Sequence, residues 1–347
     1  MIMPRPPTYA PLVARTRGDL LESVHHGALA VVDRAGRLLE SAGDPSGWVF
    51  MRSSAKPFQA LPFVADGGPE HFGLDDADVA LICASHTGRP EHARRVAALL
   101  ARAGLTPEAL QCGVHAPLDR EAALALECRH EKPSPLHHNC SGKHTGMLLR
   151  SRLHGWDTAT YLDPDHPVQR DIRAALARFA GLKPEEILLG TDGCSAPNFA
   201  LPLYHAAWAW ARLADPRDVD EPWASAARRI TAAMTAHPEM VGGPGRFDTE
   251  LMRALGPAVT AKGGAEGYQA LGVAPGHWPG ATGGVGVAIK IADGDARQQA
   301  RGMVALALLR RAGLLPEGIP PSLARWAPQG PVTNWRGLKV GTRRVLL

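Results

Sequence analysis

Apolar positions in this chain fall in short runs between turn-forming residues. Residues 28–32 are continuously apolar, and Leu38-Leu39 resumes the pattern after Asp33-Arg34-Ala35-Gly36, which predicts a β-hairpin. Pro57 fits only the first turn of a helix, so a helix is expected over about 53–63. The run 79–83 (Val-Ala-Leu-Ile-Cys) reads as a buried strand, and a helix over 90–103 stops at Gly104. Further helices are expected at 121–129, from the Cys140 region to about Leu153, at 167–180 before Gly181, and at 199–213, 221–237 and 300–312. The Ile187-Leu188-Leu189 stretch reads as a short strand, and 281–291 as a Gly-rich β segment. Strand-rich ends around a helical middle give an α/β chain of the α+β kind. The expected architecture is an antiparallel sheet built from both termini and flanked by helices. No repeat or low-complexity linker interrupts residues 1–347, so one domain is expected, with room for two intimately packed lobes.

Composition narrows the function. The chain has 347 residues, 45% hydrophobic and 21% charged, which suits a soluble globular protein. The net charge of +4 is spread out, and no basic stripe is interleaved with aromatics, so nucleic acid is a poor partner. The first 21 residues hold no apolar core like that of a secretory signal, and no segment is long and apolar enough to span a bilayer. With the odd count of five cysteines, this points to a reducing cytoplasm rather than a disulfide framework.

The chemistry begins at Ser53-Ser54-Ala55-Lys56. A serine and a lysine three apart share one helix face, and a buried lysine can act as the base that activates the hydroxyl. Helix capping by Ser53 beside a surface Lys56 is the plain alternative. Ser85-His86 and Lys262-Gly263-Gly264 offer a second hydroxyl and a second amine, the latter like the K-T-G element of β-lactamase-like enzymes. Ser85 as a cap, Lys262 as a turn lysine and His86 as a core histidine are their bland counterparts. Four polar clusters (Ser53 with Lys56, Ser85 with His86, 139–144 and 192–198) each read as a corner where strand or loop enters a helix. Arg52 could fork onto an α-carboxylate, and Asp192 could bind an α-ammonium group. Cys140 and Cys194 raise a metal question, with His137, His138, His144, Asp192 and Lys143 as candidate partners. C-x-x-C and H-x₃₋₅-H spacings are absent, which leaves two buried free thiols as the default.

Five blocks together resemble the asparaginase II family, the rhizobial-type (class 3) L-asparaginases. They are Arg52-Ser53-Ser54-Ala55-Lys56-Pro57, Cys83-Ala84-Ser85-His86, the long block from His138 through Asn139-Cys140-Ser141-Gly142-Lys143-His144 to Met147, Thr191-Asp192-Gly193-Cys194, and Ala261-Lys262-Gly263-Gly264. The resemblance implies a serine β-lactamase/glutaminase-like fold and hydrolysis of L-asparagine to L-aspartate and ammonia. It implies two catalytic pairs, Ser53 with Lys56 and Ser85 with Lys262. Arg52, His144 and Asp192 are expected to contact the substrate, and the resemblance also implies a zinc ion on Cys140, Lys143 and Cys194, and a homodimer. A glutaminase, another serine amidohydrolase, or a non-catalytic amino-acid or zinc-binding relative are the alternatives.

Overall fold

A computed structural model describes residues 7–347. In chain order its strands are β1 (Ala10–Arg17), β2 (Leu20–Asp33), β3 (Leu38–Ala42), β4 (Trp48–Phe50), β5 (Leu188–Thr191), β6 (Pro197–Pro202), β7 (Val259–Gly263), β8 (Tyr268–Val273), β9 (Val285–Ile291), β10 (Gln329–Thr333) and β11 (Lys339–Val345). Its helices are α1 (Lys56–Ala65), α2 (Gly68–His71), α3 (Asp76–Ile82), α4 (Pro90–Arg102), α5 (Arg120–Cys128), α6 (Ser141–Leu153), α7 (Pro167–Ala180), α8 (Leu203–Ala214), α9 (Trp223–Ala236), α10 (Pro238–Val241), α11 (Phe247–Leu255) and α12 (Ala300–Arg311). The chain forms two compact units. Among the described residues one comprises 7–54, 201–215 and 258–347, and the other 55–200 and 216–257.

The first unit is built on an antiparallel sheet in the order β10-β11-β1-β2-β9-β8-β7, with β3 also paired to β2. Both ends of the chain enter it, as the strand-rich termini predict. β8 and β9 are buried along nearly their whole length, because α8 and α12 pack on this sheet. Gly286 on β9 is required by the closeness of α8: a Cβ there would lie 1.8 Å from the Ala207 carbonyl oxygen. β7 ends the strand order and carries Lys262.

The second unit is helical. α1 packs on α6, α7 and α9, and α3 packs on α6 and α9. α1 is buried along nearly its whole length, with Phe58, Leu61 and Phe63 in the core. A hairpin of β5 and β6 pairs Leu188 with Ala200 through Thr191 with Pro197.

Three expectations need correction. Residues 79–83 are not a strand: Asp76–Ile82 is helix α3, started by a reciprocal cap between Asp75 and Asp78. All of it but Asp76 is buried, so no exposed face marks its period, and a short apolar run reads the same in either state. Residues 199–202 are strand rather than helix, because β5 supplies a pairing edge and the helix begins only after Pro202. For the same reason the cluster 192–198 is the turn of a hairpin and not a helix entrance. The short helix α10 and the amphipathic helix α11 were not anticipated.

Candidate active site

Each unit carries part of the candidate machinery. In the sheet unit, Arg52 and Ser53 lie in a single 3₁₀ turn, Arg52–Ala55, that leads into α1. Both are half-buried. Arg52 has left-handed backbone, φ 51°, a conformation that costs a non-glycine residue about 1–2 kcal/mol. Strain of that kind marks a place where the surrounding structure dictates the geometry. Lys262 is 1% exposed, and its ammonium group donates to the Gly263 carbonyl at 3.0 Å. The strand edge beside it abuts the Arg52 turn: a Cβ at Gly264 would lie 2.7 Å from the Met51 carbonyl oxygen. Gly264 is therefore needed for close approach, and it brings the Lys262 strand alongside Met51 and Arg52 within one unit. Arg301 holds this edge from α12 by donating to the Gly264 carbonyl.

The chain passes into the helical unit between Ser54 and Ala55, and Lys56 opens α1 with Pro57 behind it. Lys56 is 1% exposed. Its amine donates to the Ser85 hydroxyl at 2.9 Å and to the Ala84 carbonyl at 2.5 Å, with the Asn139 carbonyl at 3.5 Å. Sequence spacing pairs Lys56 with Ser53, and the family resemblance pairs Ser85 with Lys262. Within the helical unit, however, the hydroxyl facing Lys56 is that of Ser85. This contact joins the corner after α3 to the start of α1, and no spacing rule reveals it. Val241 fixes the corner by accepting the Ser85 backbone N–H at 2.9 Å.

Next to Ser85, His86 is a satisfied core histidine. Its Nδ1 accepts the Gly88 N–H at 3.1 Å, so its Nε2–H donates to the Ser141 hydroxyl at 2.9 Å. That hydroxyl donates in turn to the Leu136 carbonyl at 3.0 Å. The ring stacks on His92 with centroids 4.8 Å apart. Burial, with His92 and Lys56 nearby, holds His86 well below the usual histidine range. The Ser85 corner is thereby tied to the first turn of α6.

That turn carries the sulfur cluster. Cys140, Lys143 and Cys194 are all buried, and the Lys143 amine donates to the Cys194 sulfur at 2.9 Å. The Cys194 hydrogen bond and the charges of Lys56 and Lys143 hold the Cys140 thiol well below its usual range, despite burial. Burial alone would depress Lys143, but the sulfurs of Cys194 and Cys140 outweigh it and raise its pKa. Asp192 is half-buried in the β5–β6 turn, its carboxylate accepting the Gly193 N–H at 2.8 Å, and its charge also acts on Lys143. His144 is wholly buried one residue further along α6, and burial pushes it down to about 4. Among the described residues no group of three or more His, Cys, Asp or Glu side chains is gathered as a metal site. The pair of cysteines with an amine is a different donor set. Two thiols, one of them readily ionised, suit a borderline-soft ion such as zinc, and the Lys143 amine would join them only on giving up its proton to such an ion. His137 and His138 are turned to other work: His137 caps the turn at Ser134, and His138 accepts the Cys140 N–H.

A buried lysine against a serine hydroxyl is equipment for acyl transfer to serine, the chemistry of a serine amidohydrolase. The family model for L-asparaginase II matches residues 13–345, and the chain belongs to that family of amidohydrolases. No curated protein matches it at a significant level. Among solved structures it is similar to a probable glutaminase from Bacillus subtilis complexed with 6-diazo-5-oxo-L-norleucine, at 15% identity over 83% of this chain and 84% of that one, TM-score 0.39. It is also similar to a Bacillus glutaminase crystallised with 4.3 M NaCl, at 15% identity over 83% and 91%, TM-score 0.41. No helix among the described residues is long and apolar enough to cross a membrane.

Proposed function

We propose that this protein hydrolyses the side-chain amide of L-asparagine to L-aspartate and ammonia. The observation that carries the reading is the buried Lys56 amine 2.9 Å from the Ser85 hydroxyl, within an asparaginase II chain. Ser53, one turn before Lys56, is the nucleophile. Lys56 takes its proton as Ser53 Oγ bonds to the amide carbon. The C–N bond then breaks, the nitrogen leaves as ammonia with a proton passed through Ser85 and Lys262, and water cleaves the acyl-serine. Arg52 holds the α-carboxylate, Asp192 the α-ammonium group, and His144 a polar atom of the substrate. A diazoketone analogue of L-asparagine tests the assignment. Peptide mapping by mass spectrometry is expected to place the adduct on Ser53. The Lys56 contact favours one second reading, in which Ser85 is the nucleophile, and an adduct on Ser85 would establish it.

Cys140, Lys143 and Cys194 would hold zinc, which would supply a fixed positive charge for shaping the site and polarising a bound group. Metal analysis is expected to give one zinc per chain, and chelation is expected to raise KM more than it lowers kcat. Protein that is active and metal-free as purified would overturn the assignment. A cytoplasmic location and a homodimer belong to the same reading. Light scattering tests the second: a mass twice that of the chain is expected, and a monomer would contradict it.

A further inference from the structure

We infer that Tyr161 is a positioning residue for this site: its hydroxyl fixes the tautomer of His144, leaving Nδ1 bare and the hydrogen on Nε2. The inference rests on the assignment of His144 to the site, and it adds a residue that no motif contains. Tyr161 lies in the loop between α6 and α7 and is completely buried. Its oxygen is 2.9 Å from the backbone N–H of Gln111 and 2.7 Å from His144 Nδ1.

The direction of both bonds follows from the donors present. A backbone N–H can only donate, so the Tyr161 oxygen accepts from Gln111. The hydroxyl then has one hydrogen to place in a dry interior, where an unplaced hydrogen costs about 1–3 kcal/mol. His144 Nδ1 is its acceptor, so Nδ1 carries no hydrogen and Nε2 does. The two rings stand edge-on, 89° apart with centroids at 5.7 Å, which aims the hydroxyl along the plane of the imidazole. The tyrosine is held in turn by Gln169 of α7, whose side chain donates to the Tyr161 carbonyl at 2.8 Å. His144 Nε2 is buried and has no hydrogen-bond partner among the described residues. Tyr161 thus sets which ring nitrogen of His144 carries the hydrogen, one residue from Lys143 on α6. Were the tautomer reversed, Nδ1–H would donate to the hydroxyl and the Tyr161 hydrogen would be left without an acceptor.

The test is the ¹⁵N spectrum of histidine-labelled full-length protein, read on metal-free protein at pH 7.5 and assigned by the signals lost in His144→Gln. The expected result is a protonated Nε2 and a bare, hydrogen-bonded Nδ1 for His144. In Tyr161→Phe the Nδ1 signal is expected to shift and the single tautomer to give way to a mixture, with kcat/KM about 10–100-fold lower. A His144 protonated at Nδ1 in the wild type would overturn the inference without any variant. An unchanged His144 spectrum in folded Tyr161→Phe would overturn it as well. Neither outcome depends on which amide is hydrolysed, so failure here and failure of the asparaginase reading are separately visible.

Discussion

At the scale of single residues, Lys56 does two things at once. Its amine satisfies the Ser85 hydroxyl and the Ala84 carbonyl, and it sits close enough to Cys140 to lower that thiol. Lys56→Met keeps the buried stem and removes the amine. It is expected to lower kcat by at least about 10²–10⁴-fold, the size of a lost proton-transfer group, in protein that still folds. A steady-state assay alongside circular dichroism checks this, and a tenfold loss or less would remove Lys56 from the chemistry. Lys56 and Ser85 were both legible in the sequence as chemistry-bearing residues. Their contact was not, because 29 positions and the helices α1, α2 and α3 lie between the α1 start and the corner after α3. Tyr161 was invisible for a related reason. A lone tyrosine in a loop carries no signal until the fold brings it to His144.

At the scale of elements, the candidate site depends on α6 lying close to α3. Gly142 permits this: a Cβ there would sit 2.1 Å from the Leu81 carbonyl oxygen, a backbone atom that cannot swing away. Gly142→Ala is expected to destabilise the protein by about 1–3 kcal/mol or more and to lower activity by shifting Lys143 and His144. Thermal unfolding checks it, and an unchanged Tm would show that the two helices are free to separate. The stacked pair His86 and His92 joins the Ser85 corner to α4. Both are held below the usual histidine range, chiefly by burial. The unfolded chain therefore binds protons that the folded one refuses. The associated stability is complete above about pH 6.5 and falls as pH drops below that value, by about 1 kcal/mol per pH unit for each histidine. Urea unfolding between pH 7.5 and 5 measures it, and His92→Gln is expected to flatten the slope. A flat profile in the wild type would refute the effect. Elements with clear stops, such as α4 before Gly104 and α7 before Gly181, were read from sequence almost to the residue. α3 and β6 were not, because near-complete burial or a pairing partner brought in by the fold decided their state.

At the scale of the molecule, the chain crosses between its two units after Ser54, Ala200, Asp215 and Pro257. The antiparallel sheet made from both termini was legible because strand-like runs cluster at the two ends, while the helical middle announced itself through caps and stops. The division into units was not, since four crossings leave no composition break to read. Family membership across residues 13–345 settles an amidohydrolase, and the choice of amide rests on chemistry that one methylene separates by only about 1–3 kcal/mol. The most direct measurement is ammonia release from L-asparagine and from L-glutamine by wild type, Ser53→Ala and Ser85→Ala. The expected result is a higher kcat/KM on L-asparagine and its loss in Ser53→Ala. Ammonia release favouring L-glutamine, or wild-type turnover of L-asparagine by both serine variants, would contradict the account.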